Sequence, residues 1–204
     1  MKLYCSTSSP YARKVRLLIF EKGLQGVQEI FVNPFEDRTE ILSMNPLGQV
    51  PFLVLDSGDV LFDSPLICQY LDEWSGGEAL IPQHQDRKYT VLRWQAMADG
   101  LLDATYNIVM ERRRIQSERS SASMASWSEE IASIMNIMER QVAELGDKLT
   151  LAHLSVAAAI GYVDFRLPEL LYESACPQVA ICQNLVNWFE GFKTRPSMLA
   201  TQPH

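Results

Sequence analysis

The sequence predicts an α/β chain in two parts: a small mixed sheet covered by helices, then an all-helical remainder. Three observations predict it. Short β-compatible runs alternate with helical patterns as far as Trp74, Ser75-Gly76-Gly77 breaks the pattern, and everything beyond about Lys88 reads as helix.

Lys2 to Cys5 is a short β-compatible run, and a helical pattern follows from Ser9-Pro10 through Val15, Leu18 and Ile19 to a stop near Gly23. Val27 to Val32 reads as a second strand. Asp37 to Met44 is a short helix that Asn45-Pro46 ends, because a residue before proline is pushed out of the α region. Phe52 to Leu55 and Val60 to Phe62 flank the turn Asp56-Ser57-Gly58-Asp59, which makes them an antiparallel hairpin. Pro65 opens a further helix running to about Trp74. Strand, helix, strand, helix, hairpin, helix is the order of a thioredoxin-like domain, placed at residues 1–76.

Residues 77–88, with Pro82 among them, have the polar and turn-rich character of a linker. The all-helical domain is then 89–204. A long helix from Tyr89 to about Arg114 is followed by a serine-rich loop, Ser117 to Ser123. Ile131, Ile134, Met135, Met138, Val142 and Leu145 form one stripe at helical spacing. Ser126 and Glu129 have the spacing of a capping box at its start, and Gly146 stands where a glycine stops a helix. Two further helices are expected at about Leu151 to Phe165 and Val179 to Phe192.

The chain has 204 residues, 47% of them apolar, enough to bury a substantial core. A net charge of -7 argues against a nucleic-acid partner, and Arg112-Arg113-Arg114 spans only one helical turn and reads as a solvated face. Cys5, Cys68, Cys176 and Cys182 show no CxxC spacing, so neither a metal site nor a disulfide framework is signalled, and a reducing, cytoplasmic setting is expected. No charged-then-apolar leader opens the chain, and export is not expected. The most apolar stretch, Leu149 to Val163, is interrupted by Thr150, His153 and Ser155 and is shorter than the roughly 20 residues of a bilayer span. It reads as a buried helix, and no membrane association is expected.

Three motifs carry chemistry. In Ser9-Pro10-Tyr11-Ala12, serine is a favoured N-cap and proline a favoured first helical residue. Ser9 therefore sits at a positive helix end, where a thiolate gains from the helix dipole and from a hydroxyl donor. Such donation lowers a thiol's pKa without a covalent step. Taken singly, the motif also reads as a plain helix cap. It resembles the glutaredoxin tetrapeptide Cys-Pro-Tyr-Cys with serine and alanine in place of the two cysteines, which removes disulfide chemistry.

The second motif is Asn45-Pro46-Leu47-Gly48-Gln49-Val50-Pro51, directly before the third strand. A cis Pro51 would turn the Val50 backbone outward to pair with an extended peptide. An ordinary trans proline at a strand start is the alternative. The third is Phe62-Asp63-Ser64-Pro65, a second Ser-Pro helix start preceded by a carboxylate. Ser64 at the helix N-terminus suits a ligand carboxylate and Asp63 suits an adjacent ammonium, the two charges of an α-amino acid head group. The alternative is that Asp63 stabilises the helix dipole while Ser64 caps.

Together and in order, Ser-Pro-Tyr-Ala-Arg-Lys-Val-Arg at 9–16, Asn-Pro-Leu-Gly-Gln-Val-Pro at 45–51 and Asp-Ser at 63–64 resemble a bacterial cytosolic glutathione S-transferase. Leu149 to Leu154 and on to Phe165-Arg166 is similar to that family's sixth-helix signature, so the resemblance spans essentially the whole chain. It implies that Ser9 faces the glutathione sulfur, that Val50 pairs with the cysteinyl backbone beside a cis-Pro51, and that Asp63 and Ser64 hold the γ-glutamyl end. Gln49 adds a polar contact. It also implies reduced glutathione as co-substrate with no further cofactor, a hydrophobic electrophile as second substrate, and a homodimer.

One departure stands out. The family pattern has Ser or Thr followed three residues later by Asp, whereas Thr150 is followed by His153. The reciprocal carboxylate bond of a capping box is thus expected to be missing, and His153→Asp to raise the melting temperature. Cys5, at the end of the first strand, competes with Ser9 for the sulfur and would give mixed-disulfide chemistry, a glutathione-dependent thiol reductase. A binding protein without catalysis is the other alternative. Tyr106 and Arg113 on the first long helix are candidates for the electrophile pocket, with packing and solvation as their alternative reading.

Overall fold

The computed structural model describes residues 1–172 and 182–204; Cys176 and the first residues of the helix expected from Val179 lie outside them. The chain divides into two compact units, Met1–Val91 with Pro196–His204, and Leu92–Arg195. The last nine residues thus belong with the α/β unit, where the sequence pattern had put them in the helical domain.

The first unit contains β1 (Lys2–Cys5), α1 (Pro10–Glu21), β2 (Gln28–Phe31), α2 (Arg38–Met44), β3 (Phe52–Val54), β4 (Val60–Leu61) and α3 (Ser64–Trp74). The sheet order is β2-β1-β3-β4. β1 and β2 run parallel because α1 carries the chain back between them; β1–β3 and β3–β4 are antiparallel. Tyr4 lies opposite Phe52 with their rings stacked at 4.5 Å. Leu3, Val15, Leu18, Leu53, Ile67 and Leu71 are fully buried between the sheet, α1 and α3. Every element expected from the pattern is present, with ends moved by a residue or two. This is the thioredoxin-like α/β unit.

Three charged residues of α1 are buried, which periodicity does not foretell. Arg13 Nη2 donates to the Met198 carbonyl at 3.1 Å and its Nε to Thr201 Oγ1 at 3.4 Å. These bonds bring the short helix α9 (Pro196–Ala200) back to the first unit. Arg16 pairs with Glu29 at 3.1 Å and lies over the Phe31 ring. At the other end of the unit, Lys22 Nζ is 2.6 Å from Asp72, whose two oxygens also accept from the Leu80 and Ile81 N–H groups at 2.9 and 2.8 Å.

The second unit is built on α4 (Gln85–Arg113) from Leu92 onward, α5 (Ser121–Gln141), α6 (Leu151–Arg166), α7 (Glu169–Tyr172) and α8 (Gln183–Phe192). α4 begins four residues before the expected Tyr89, inside the expected linker. The serine-rich stretch is more structured than expected: a 3-10 turn covers Gln116–Glu118, and α5 starts at Ser121 with Ser120 Oγ accepting from Ser123 N. Ser126 and Glu129 therefore lie inside a helix and form no capping box. Serine signals both turns and caps, and the cap here is six residues earlier than the box spacing suggested. Gly146, at φ 66°, ends the 3-10 extension of α5. Glu139 on α5 accepts from the Asn184 and Leu185 N–H groups at 3.0 and 2.8 Å and so caps α8 from another helix. α6 is buried on every side from Leu151 to Val163, as a helix apolar all round must be. Among the described residues no helix is long and apolar enough to cross a membrane.

The capping box of α6 is present after all, with histidine in the carboxylate's place. His153 Nδ1 accepts from the Thr150 N–H at 3.1 Å, and His153 Nε2 lies 3.1 Å from the Gly146 carbonyl, to which it donates. One ring nitrogen accepts and the other donates, so the bonded tautomer is neutral. The ring is buried beside Trp188 and Phe192, and that burial, helped by the Arg195 charge, lowers its pKa against the opposing pull of the Gly146 bond. The expected gain from His153→Asp is therefore reversed. Aspartate would keep the Thr150 bond, lose the one to Gly146, and bury a charge, lowering stability by about 1–3 kcal/mol at pH 7.

Because the folded state holds this imidazole neutral, its contribution is complete above the ordinary histidine pKa of about 6.5. It is lost as pH falls through the lowered folded value. Thermal melts at pH 7 and pH 5 should show a loss in the wild type that shrinks in His153→Gln, which keeps an acceptor for Thr150 without titrating there. Equal losses in both proteins would assign the pH dependence elsewhere.

Candidate functional site

Strand directions bring the three motifs of the first unit to one end of the sheet. β1 runs antiparallel to β3 with Tyr4 opposite Phe52, so the segment leaving β1 toward Ser9 starts beside the residues entering β3, Val50 and Pro51. β4 also runs antiparallel to β3, with Leu61 opposite Leu53, so Phe62, Asp63 and Ser64 emerge at that same end.

Ser9 is the N-cap of α1, with Oγ accepting from Ala12 N at 3.3 Å. That bond uses a lone pair and leaves the hydroxyl proton to be donated. The twelve-residue helix behind it puts its positive end at this hydroxyl.

The loop before β3 is organised by Asn45, which sequence reasoning treated only as a helix stop. Its side chain is buried; Oδ1 accepts from Leu47 N at 3.0 Å and Nδ2 donates to the Gln49 carbonyl at 2.8 Å. This holds the backbone directly ahead of Val50. Gly48 has φ +63°, a left-handed conformation that favours glycine, and a Cβ there would stand 3.0 Å from Leu42 Cδ2. The Val50–Pro51 peptide is cis. Val50 and Pro51 are buried, and Gln49 is exposed.

Asp63 is the N-cap of α3 yet makes no side-chain cap bond, so the helix does not consume its carboxylate, which is exposed. Its peptide with Phe62 is also cis. Ser64, 1% exposed, opens the helix just before Pro65. This sets a buried hydroxyl at a helix N-terminus directly after an exposed carboxylate.

Comparisons with known proteins give the same reading over a longer span. The family described as glutathione S-transferase, N-terminal domain, matches residues 8–74. The uncharacterized GST-like protein YibF of Escherichia coli is 30% identical over 209 residues, covering 100% of this chain and 98% of YibF. The chain belongs to the glutathione S-transferase family.

Among solved structures, a glutathione transferase family member from Pseudomonas fluorescens Pf-5 with bound glutathione is 34% identical at a TM-score of 0.91, covering 100% of this chain and 98% of its own. A second structure from that source, with bound S-(propanoic acid)-glutathione, is 34% identical at a TM-score of 0.86, with full coverage of both chains.

In this glutathione S-transferase family member the competitor to Ser9 is placed unfavourably for chemistry. Cys5 is fully buried in β1, and its thiol is pushed up to about 12, by desolvation first and by the Glu29 charge second, against the opposing Arg16. A thiol held protonated there is neither a good nucleophile nor in reach of solvent. Its place at the end of β1 does not expose it. Cys182 is likewise buried, with its thiol raised to about 11. Among the described residues no group of three or more His, Cys, Asp or Glu could hold a metal ion.

Tyr106 and Arg113 are two turns apart on α4, both exposed. Each acts electrostatically on the buried Tyr162 of α6, to which the Arg166 side chain donates a hydrogen bond. Tyr162 and Arg166 were not singled out from the sequence; their spacing of four residues was the available signal, but it is shared by any helical pair.

Proposed function

We propose that this family member is a glutathione transferase that lowers the thiol pKa of reduced glutathione and directs the thiolate at an electrophile. The observation that carries the reading is the meeting of Ser9, Val50–Pro51 and Asp63–Ser64 at one end of the sheet. Ser9 donates its hydroxyl to the sulfur at the positive end of α1, where a negative charge is favoured. Val50, beside Pro51, pairs its backbone with the cysteinyl unit, and Gln49 adds a side-chain contact from the exposed loop. Ser64 receives the γ-glutamyl carboxylate and Asp63 the ammonium. A relative 34% identical that holds bound glutathione supports glutathione as the ligand.

The covalent step needs no protein nucleophile. The sulfur lone pair forms the new C–S bond, and the electrophile gives up either a leaving group or the π pair of a double bond. The protein supplies charge stabilisation and proximity. Tyr106 and Arg113 belong to the second-substrate side. Burial of Cys5 weighs against a reductase that uses it. The family's homodimer and a cytoplasmic, reducing setting complete the reading, consistent with Cys5, Cys68 and Cys182 being buried and not disulfide-bonded.

Titrating glutathione in complex by thiolate ultraviolet absorbance tests the proposal. The bound thiol is expected to ionise well below the free cysteine value of about 8.5. Saturable binding with an unshifted thiol would leave a binding protein.

A further inference from the structure

We infer that the segment Pro196–His204 is a strap that positions Ser9, gripping the first turn of α1 through the Arg13 guanidinium, with Thr201 as its positioning residue. The inference deepens the transferase reading and rests on it.

Ser9 is held by main-chain bonds on either side. Its N–H donates to the Ser6 carbonyl at 3.2 Å, and its carbonyl accepts from Arg13 N at 2.9 Å. The strap meets the chain at both of these turns. Before Ser9, Thr7 Oγ1 lies 3.5 Å from the His204 main-chain oxygen. After it, the Arg13 side chain donates to the Met198 carbonyl and to Thr201 Oγ1. Ser197 Oγ donates to Glu21 at the other end of α1, so the strap follows that helix back toward its N-terminus.

The grip on Arg13 is buried and specific. Arg13 and Thr201 are 6% and 3% exposed. The Thr201 hydroxyl donates to the Ser197 carbonyl at 2.8 Å, which leaves a lone pair facing the Arg13 Nε–H. A planar guanidinium held by two acceptors has little freedom to turn. The first turn of a helix otherwise frays, and this is the turn from which the Ser9 hydroxyl must meet a sulfur. Such placement matters, because a displacement of about 1 Å can cost about 100-fold in rate.

The test follows the thiol of reduced glutathione bound to each protein, by thiolate ultraviolet absorbance. Thr201→Val keeps the side-chain shape and the Arg13 charge and removes only the hydroxyl. It is expected to raise the pKa of bound glutathione by about 0.5–1, a roughly 3- to 10-fold loss of thiolate at a pH below it. Thr201→Ser should restore the wild-type value. In a Ser9→Ala protein the same Thr201→Val change should add nothing, since a residue acting through Ser9 has no hydroxyl left to position. A strap that only stabilised the fold would lower the melting temperature and leave the titration unmoved. That result overturns the inference, as does an equal rise with and without the Ser9 hydroxyl, and either leaves the transferase reading standing. A wild-type thiol with no shift overturns both. Arg13→Lys, which keeps the charge and loses the fork, is titrated in the same way should Thr201→Val not fold, and an unmoved thiol there also overturns the inference.

Discussion

Asp72→Ala is expected to lower the unfolding free energy by about 3–5 kcal/mol, the cost of removing one partner from a buried ion pair. Asp72 accepts from Lys22 at 2.6 Å and from the Leu80 and Ile81 N–H groups, with the Lys22 and Asp72 side chains 7% and 2% exposed. Alanine would leave a shielded ammonium and two backbone donors together. Lys22 keeps bonds to the Asp72 and Glu78 carbonyls, which soften the loss without replacing a countercharge. At roughly 2–4 °C per kcal/mol for a chain of this size, the melting temperature should fall by about 10 °C. Asp72→Asn, which keeps one acceptor oxygen, should fall less. A melting temperature equal to wild type in Asp72→Ala would show that the three bonds do not hold the 80–81 segment.

The other large effect is on activity. Ser9→Ala is expected to lower kcat/KM for conjugation about 100-fold, the magnitude typical of removing one preorganised donor from a developing or stabilised anion. Loss of the hydroxyl donor should return the bound thiol toward the free cysteine range, and on the proposed assignment, in which Val50, Asp63 and Ser64 still hold the tripeptide, the fall should appear mainly in kcat. Ser9→Thr, which retains donor and cap, should recover much of it. The same oxygen accepts from Ala12 N, so alanine also removes a cap bond and about 1 kcal/mol of stability. Melting separates the two roles: a stability loss with an unchanged thiol titration would reduce Ser9 to a helix cap.

Much of the first unit was legible because its signals are local. A proline at the first helical position, a glycine turn between two short apolar runs and an Asn-Pro stop each restrict the backbone within a few residues, and all three stand where expected. The cap of α5 was misplaced because serine serves turn and cap alike, so neighbouring serines compete. His153 was misread for a different reason. The pattern of a capping box names carboxylates, but the backbone requires only an acceptor within reach, and a neutral imidazole provides one when a second carbonyl fixes its tautomer.

By itself, then, the sequence determined the order of elements in the first unit, a mostly helical second half, and the three motifs with Ser9, Val50 and Ser64 in them. These depend on steric and hydrogen-bonding preferences that act over a few residues. Tertiary structure alone decided that β3 runs against both β1 and β4 and so gathers those motifs at one edge. It also decided that Arg13 recovers the final helix, that Asp72 clasps residues 80 and 81, that Cys5 is sealed inside the sheet, and that two arginines gather around Tyr162. Each of these depends on which groups lose water together, a property of the packed chain that no short window of residues contains.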